Sequence, residues 1–317
     1  MNFSKLTTAL AIVLTGAATA NAAQLSPDAK ASIPRDVQQL IAIDYRAMEN
    51  SPVAMSMKDR IMPPELKTFE TALNHSGLDV SKDVDVLVFA AFRSKSGSSD
   101  ATHTLGIAQG QFATRAIAAN FTKQKVKPFA IRGVSVYPMG SSGLQVAFLN
   151  QTTMIFGEKA AITAALDARD GLQQSLLNNN GLMDSMASVD SEAIWSLLDA
   201  KGSQVVLRSL LGDAAGLADF QTVKDHLQGA RYTMEFTNGV RFKMEVITGD
   251  PITAAAMSTL LQGAVLFKKA SGSDVEKQAL NSTSVDANGD ILTAKYESSD
   301  SQFSNLLSSN LFQTVVK

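Results

Sequence analysis

The chain has 317 residues, with 28 Lys and Arg against 30 Asp and Glu, and no cysteine. Balanced charge without a basic cluster argues against nucleic acid and anionic membrane surfaces as partners. The lack of cysteine excludes disulfides, thiolate metal sites, cysteine nucleophiles and a lipidated cysteine anchor.

The opening MNFSKLTTALAIVLTGAATANAAQL sets Lys5 before an apolar run from Leu6 to Leu14, and Ala20-Asn21-Ala22 has the A-x-A cleavage pattern. This is the layout of a secretory leader, whose apolar run is too short to span a bilayer. Cleavage between Ala22 and Ala23 is expected, giving an exported chain, periplasmic or extracellular. No other stretch approaches the roughly 20 apolar residues of a membrane helix.

A strand is expected near Leu40–Tyr45, then a helical pattern from Val53 to His75, broken at Pro63-Pro64 and closed by Gly77. Met48, Met55, Met57 and Met62 cluster here; with no histidine among them, core packing outweighs copper(I) binding. Strands follow at Val84–Phe92 and His103–Gln109, separated by a loop RSKSGSSDA. Next come a helix Phe112–Gln124, a strand Val134–Tyr137, a hairpin of Leu144–Leu149 with Thr152–Phe156, and a helix after Gly157. A helical connector runs to Met186.

From Ala193 the order returns: a strand to Leu198, helices between Val205 and Leu227, then the stretch ARYTMEFTNGVRFKMEVITGDP. In it Tyr232, Met234 and Phe236, and Val240, Phe242, Met244 and Val246, alternate with polar residues, which reads as two half-buried strands. Buried positions are even-numbered on both arms and paired residues share a face. A three-residue loop, Thr237-Asn238-Gly239, satisfies this by pairing Phe236 with Val240, Met234 with Phe242 and Tyr232 with Met244. The same register sets Glu235 against Arg241 and Arg231 against Glu245.

Asp250 and Pro251 then suit the cap and first residue of a helix Ile252–Phe267. With no Gly-rich phosphate motif beside it, the junction reads as a strand-to-helix turn and not a nucleotide site. A strand Ile291–Tyr296 and an amphipathic helix with Phe303, Leu306, Leu307 and Leu311 on one face end the chain.

Strand-to-helix junctions at Gly110, Gly157 and Gly249 and the order β-α-β-β-α-β, met twice, predict an α+β fold. Its antiparallel sheets carry helices on one face, as a duplicated ferredoxin-like unit. The expected divisions are residues 23–171, a connector 172–190, and residues 191–317. The stretches Gly110-Gln111-Phe112, Val136-Tyr137, Ala147-Phe148-Leu149 and Ile155-Phe156-Gly157-Glu158 resemble a diffuse group of secreted bacterial proteins of unknown function. That resemblance covers the central third and implies export, with no family active site to carry over.

His75, His103 and His226 are the only histidines, and no zinc-protease spacing occurs. His75 and His226 suit helix C-termini. His103 beside the Ser-rich loop gives the one hydrolase candidate, with Asp100 and Ser98 (or Ser96 or Ser99), but no nucleophile elbow or Ser-x-x-Lys accompanies it. Asp286, Asn288, Asp290 and Glu297 sit at calcium-loop spacing, yet Ile291 stands where the loop needs glycine, so a turn at Asn288-Gly289 is preferred. No cofactor is expected. The residues point to an exported, non-catalytic interaction protein of the cell envelope, using a sheet edge or an outer sheet face; its partner, protein or small ligand, is not legible. The competing reading is a periplasmic hydrolase or small-ligand enzyme with a site near His103 between the repeats.

Overall fold

The structure, a computed structural model, describes residues 23–62, 64–96, 99–211 and 224–309. The expected leader, Ser98, part of the helical stretch before Leu227, and Leu311 lie outside the described residues.

The strand-forming segments join one continuous antiparallel sheet of twelve described strands. In chain order these are β1 (Val37–Asp44), β2 (Val84–Ser96), β3 (Ser99–Gly110), β4 (Phe129–Ile131), β5 (Val134–Pro138), β6 (Gln145–Phe148) and β7 (Thr153–Gly157). The second half supplies β8 (Ile194–Asp199), β9 (Leu227–Glu235), β10 (Val240–Thr248), β11 (Thr283–Asn288) and β12 (Ile291–Ser298). Their spatial order is β11-β12-β10-β9-β8-β1-β2-β3-β7-β6-β5-β4.

Read outward from the central pair β1 and β8, the two halves share one connectivity. A strand leads through helices to an antiparallel neighbour, a hairpin follows, and a second helical crossing lands further out before the chain returns. The expected element order is therefore present twice, but the strand pairing is not ferredoxin-like. That unit needs a crossover joining β1 to a parallel strand, whereas β1 and β2 pair antiparallel. The reason lies before Pro64, where one long helical pattern becomes two helices, α3 (Pro52–Ile61) and α4 (Pro64–His75). The chain goes out and comes back, reaching β2 at the end where it left β1.

Helices also cover both faces, not one. On β1 and β2 apolar residues occupy alternate positions on each side, so each side needs cover. The back face carries Leu40, Val88, Phe92, Ile107, Trp195 and Leu197. It packs under Ala23 and Leu25, α1 (Pro27–Ser32), α7 (Lys159–Arg169) and α8 (Asn180–Ala187). The front face of the first half carries Phe89, Ala108, Met154 and Phe156 under α2 (Tyr45–Glu49), α3, α4, α5 (Val80–Asp83) and α6 (Thr114–Lys123). Farther along the same front face, Leu198, Met244, Val246 and Leu292 meet Leu207 of α9 (Ala200–Leu211) and Met257 of α10 (Pro251–Ser271). Short helices α11 (Asp274–Asn281) and α12 (Asp300–Leu306) complete this side, with Phe303 against Phe236 and Tyr296.

One glycine decides local packing. Gly106 faces Phe156 across the β3–β7 ladder, and a Cβ there would lie 2.2 Å from the ring. Phe156 uses that space to stack on Phe69 of α4 at 4.8 Å and meet Phe89 edge-on at 5.9 Å.

Candidate functional site

The β9–β10 hairpin has the register its alternation dictates. Met234 pairs with Phe242, Tyr232 with Met244, Glu235 with Arg241 and Arg231 with Glu245. Asn238 and Gly239 both have positive φ, and a Cβ on Gly239 would lie 2.4 Å from the Ser298 carbonyl oxygen. The even-numbered residues face front into the core. The odd-numbered ones face back, where the helices packed on β9 to β12, namely α9, α10 and α11, do not reach.

This back half-face is a ladder of charges. Arg241 Nε and Nη2 donate to Glu235 Oε2 at 3.0 and 2.5 Å. Arg231 Nε donates to Glu245 Oε2 at 2.5 Å, and its Nη1 reaches Ser188, just past α8, at 2.8 Å. Lys243 Nζ takes the other oxygen of Glu245 at 2.5 Å. Burial alone would raise the Glu245 carboxyl, but Lys243 and Arg231 outweigh it and hold the group below its ordinary value. On the outer side β12 adds one residue per rung: Glu297 opposite Arg241, Lys295 opposite Lys243, and Thr293 opposite Glu245. The middle rung thus sets two lysines face to face. Glu245 neutralises Lys243, and among the described residues none pairs with Lys295, which is exposed. Like charges directly opposite on a sheet repel.

A second feature lies on the front. Between α3, α4 and the sheet is an apolar cavity of about 50 Å³, lined by Leu66, Phe69, Leu73, Phe89 and Phe156 with Lys58 among them. Lys58, with its side chain only 11 % exposed, donates to Tyr45 Oη at 2.9 Å and to Glu70 Oε1 at 3.1 Å. Burial draws the Lys58 pKa down, but the Tyr45 hydroxyl and Glu70 overcome it and raise it. The polar atoms are spent on one another and the space holds little more than a solvent molecule. This is a structural pair tying α3 to α4.

The other candidates disperse. The stretch expected as a loop extends the β2–β3 hairpin to the pair Ser96 and Ser99. His103 lies on the back face beside Phe92, ring centres 5.8 Å apart, and strand positions 100 and 103 alternate to opposite faces. Asp286 pairs with Thr293 and Asn288 with Ile291 in a hairpin closed at Gly289 and Asp290, while the Asp290 carbonyl accepts from Thr248. Among the described residues no three His, Cys, Asp or Glu side chains converge on a metal position. His226 sits in the turn between the helical residue Lys224 and β9, with Nδ1 3.2 Å from Asp250 at the α10 cap. His75 does end α4. Met48 and Met57 are buried in the front core, with Met55 packed against it. No helix of the described residues is long and apolar enough to cross a membrane.

Sequence reasoning found both hairpin ion pairs but missed the Lys243–Lys295 rung. The signal was present: Tyr296 is apolar and inward, so Lys295 must face out beside the hairpin's polar residues.

Comparison with protein-family models and with curated proteins finds no match. Among solved structures, crystal forms I and III of TP0453 are similar to this chain at 10% sequence identity. Each comparison covers 90% of this chain and 98% or 99% of the other, with TM-scores of 0.50 and 0.51. At that identity the likeness is one of fold.

Proposed function

We propose that this is an exported, non-catalytic interaction protein of the bacterial cell envelope, which docks a protein partner on the back half-face of β9, β10 and β12. The reading rests on one observation, the exposed Lys295 held opposite Lys243 beside the ion pairs of Arg231, Glu245, Glu235 and Arg241, on a half-face that no helix covers. Arg231, Glu235, Arg241 and Glu245 are already fixed by their own ion pairs, so little side-chain freedom remains to be lost on binding. An acidic side chain placed between the two lysines would relieve their repulsion. The partner is accordingly a folded protein presenting carboxylates, and the contact is salt-sensitive. The leader layout supports export. The repeated connectivity supports descent from a duplicated unit.

The test is capture from envelope fractions with the chain beginning at Ala23, compared with Lys295→Glu and with a front-face control, Gln262→Glu. The expected result is a saturable partner, lost in Lys295→Glu, kept in the control, and released by raised salt. A partner equally bound by Lys295→Glu sinks the assignment of this face.

A further inference from the structure

The first residues after the expected cleavage point are not a tail. Ala23 is fully buried and Leu25 is 5 % exposed, both within the back-face core. The indole Nε1 of Trp195, itself fully buried, donates to the Ala23 carbonyl at 3.0 Å. The Ala23 amide donates to the Glu192 carbonyl at 3.3 Å. Gln109, a buried side chain on β3, spends both ends of its amide on the same segment. Its Nε2 donates to the Gln24 carbonyl at 2.8 Å, and its Oε1 accepts from the Ser26 amide at 2.5 Å. Ser26 then caps α1. Residues 23 to 26 are therefore held as a strap, by backbone recognition at both ends and an apolar anchor between.

We propose that this strap makes the cleavage site fold-protected, so that leader removal must precede closure of the back face. The proposal rests on the export reading and the Ala22–Ala23 site. A leader peptidase must bind the residues on both sides of the bond it cuts in an extended, accessible form. Here the fold buries two of the four residues on the product side, Ala23 and Leu25, and ties the backbone of the exposed Gln24 and half-buried Ser26 to Gln109. In the folded state cleavage waits on local opening of the strap, and its rate tracks the population of the open form. A chain that folds before it is cut keeps its leader, so order of events decides which form accumulates. The strap also leaves the cut chain without a loose end at Ala23.

The experiment treats the folded full-length chain with purified leader peptidase and follows the appearance of an Ala23 amino terminus by mass spectrometry. A synthetic peptide of residues 12–30 serves as the unstructured substrate. The peptide is expected to be cut, the folded chain to resist, and Gln109→Ala, which frees the strap, to be cut about tenfold or more faster than the wild type. Should the variant fold poorly, hydrogen exchange at the Ser26 amide of the wild type gives the same answer, with strong protection expected. Equal rates for peptide and folded chain overturn the protection while leaving the cleavage site intact. An uncut peptide overturns the site and the proposal with it. Resistance that survives Gln109→Ala in a well-folded variant, or a freely exchanging Ser26 amide, removes the strap as the cause.

Discussion

Lys295→Glu should raise the stability of the isolated chain while abolishing partner binding. In the wild type Lys295 and Lys243 face each other across β12 and β10. A like-charged cross-strand pair costs about 0.2–1 kcal/mol and an opposite-charged one gains a similar amount. Lys243 is 47 % exposed and already bound to Glu245, so both figures belong at the low end. The substitution also brings a carboxylate near Glu297 on the same strand face, which subtracts from the gain. The net expectation is about 0.3 kcal/mol, a rise of about 0.5 °C in Tm for a chain of this size. Thermal unfolding followed by Trp195 fluorescence at low and high salt reads it directly. A 1 M salt solution shortens the screening length to about 3 Å, so the gain should vanish there. A loss of stability, or a gain that salt leaves unchanged, would refute the view that this rung is electrostatically strained.

Three further outcomes follow from the same structure. Glu245 is held below its ordinary value of 4.5, so its contribution is complete above about pH 4.5 and is lost as pH falls through the lowered value. Wild type should therefore lose stability more steeply than Glu245→Gln between about pH 5 and 3, and parallel urea curves across that range would contradict the assignment. Lys58→Met strands Glu70 beside an apolar wall and should cost about 1–3 kcal/mol, discounted because Glu70 remains 29 % exposed. Lys58→Met with Glu70→Leu should recover most of that loss in urea titration, and additive losses would mean the two residues do not act as a pair. Gly106→Ala drives a methyl into the Phe156 ring and should cost about 2–3 kcal/mol, with partial rescue by Phe156→Leu; an unchanged Tm would show that the ring has room to move.

Much of this fold was legible because its signals are local. The β9–β10 register followed from parity and one loop length, and the α10 start followed from Asp250 and Pro251. The break in the helical pattern before Pro64 was read correctly, but its topological consequence was not. Whether a helical segment returns a chain to one sheet end or carries it to the other is a property of packing, invisible to periodicity. The strand β4 follows Pro128 and has three residues, too few for any alternation. The strand β11, with Ser284, Asp286 and Asn288 on one side and only Val285 as a large apolar residue, reads as a loop until β12 pairs with it. The helix α11 did have a signal, the capping box Ser273 to Glu276, which was passed over. The extended β2–β3 hairpin hid behind Ser-rich composition. Both charges of the candidate site were visible as outward residues, but only the pairing of β10 with β12 brings Lys243 and Lys295 together.

Why the back face is covered on one side of the molecule and bare on the other is decided at a single strand pair. The two halves share connectivity, so topology does not distinguish them. On β8 the back-facing residues are Trp195 and Leu197, both buried under the strap and α8. On β9 their direct partners are Thr233 and Arg231. Apolar pattern ends and charged pattern begins within one inter-strand spacing, about 5 Å. Arg231 bridges the border, bonded to Glu245 on the bare side and to Ser188 on the covered side. A helix laid over Arg241, Lys243 and Lys295 would have to strip water from all three, a cost that apolar contact there cannot offset. The covering helices stop where the sequence stops supplying apolar partners. The bare half-face is thus maintained by its own ion pairs, and those same fixed charges make it a surface for a polar partner.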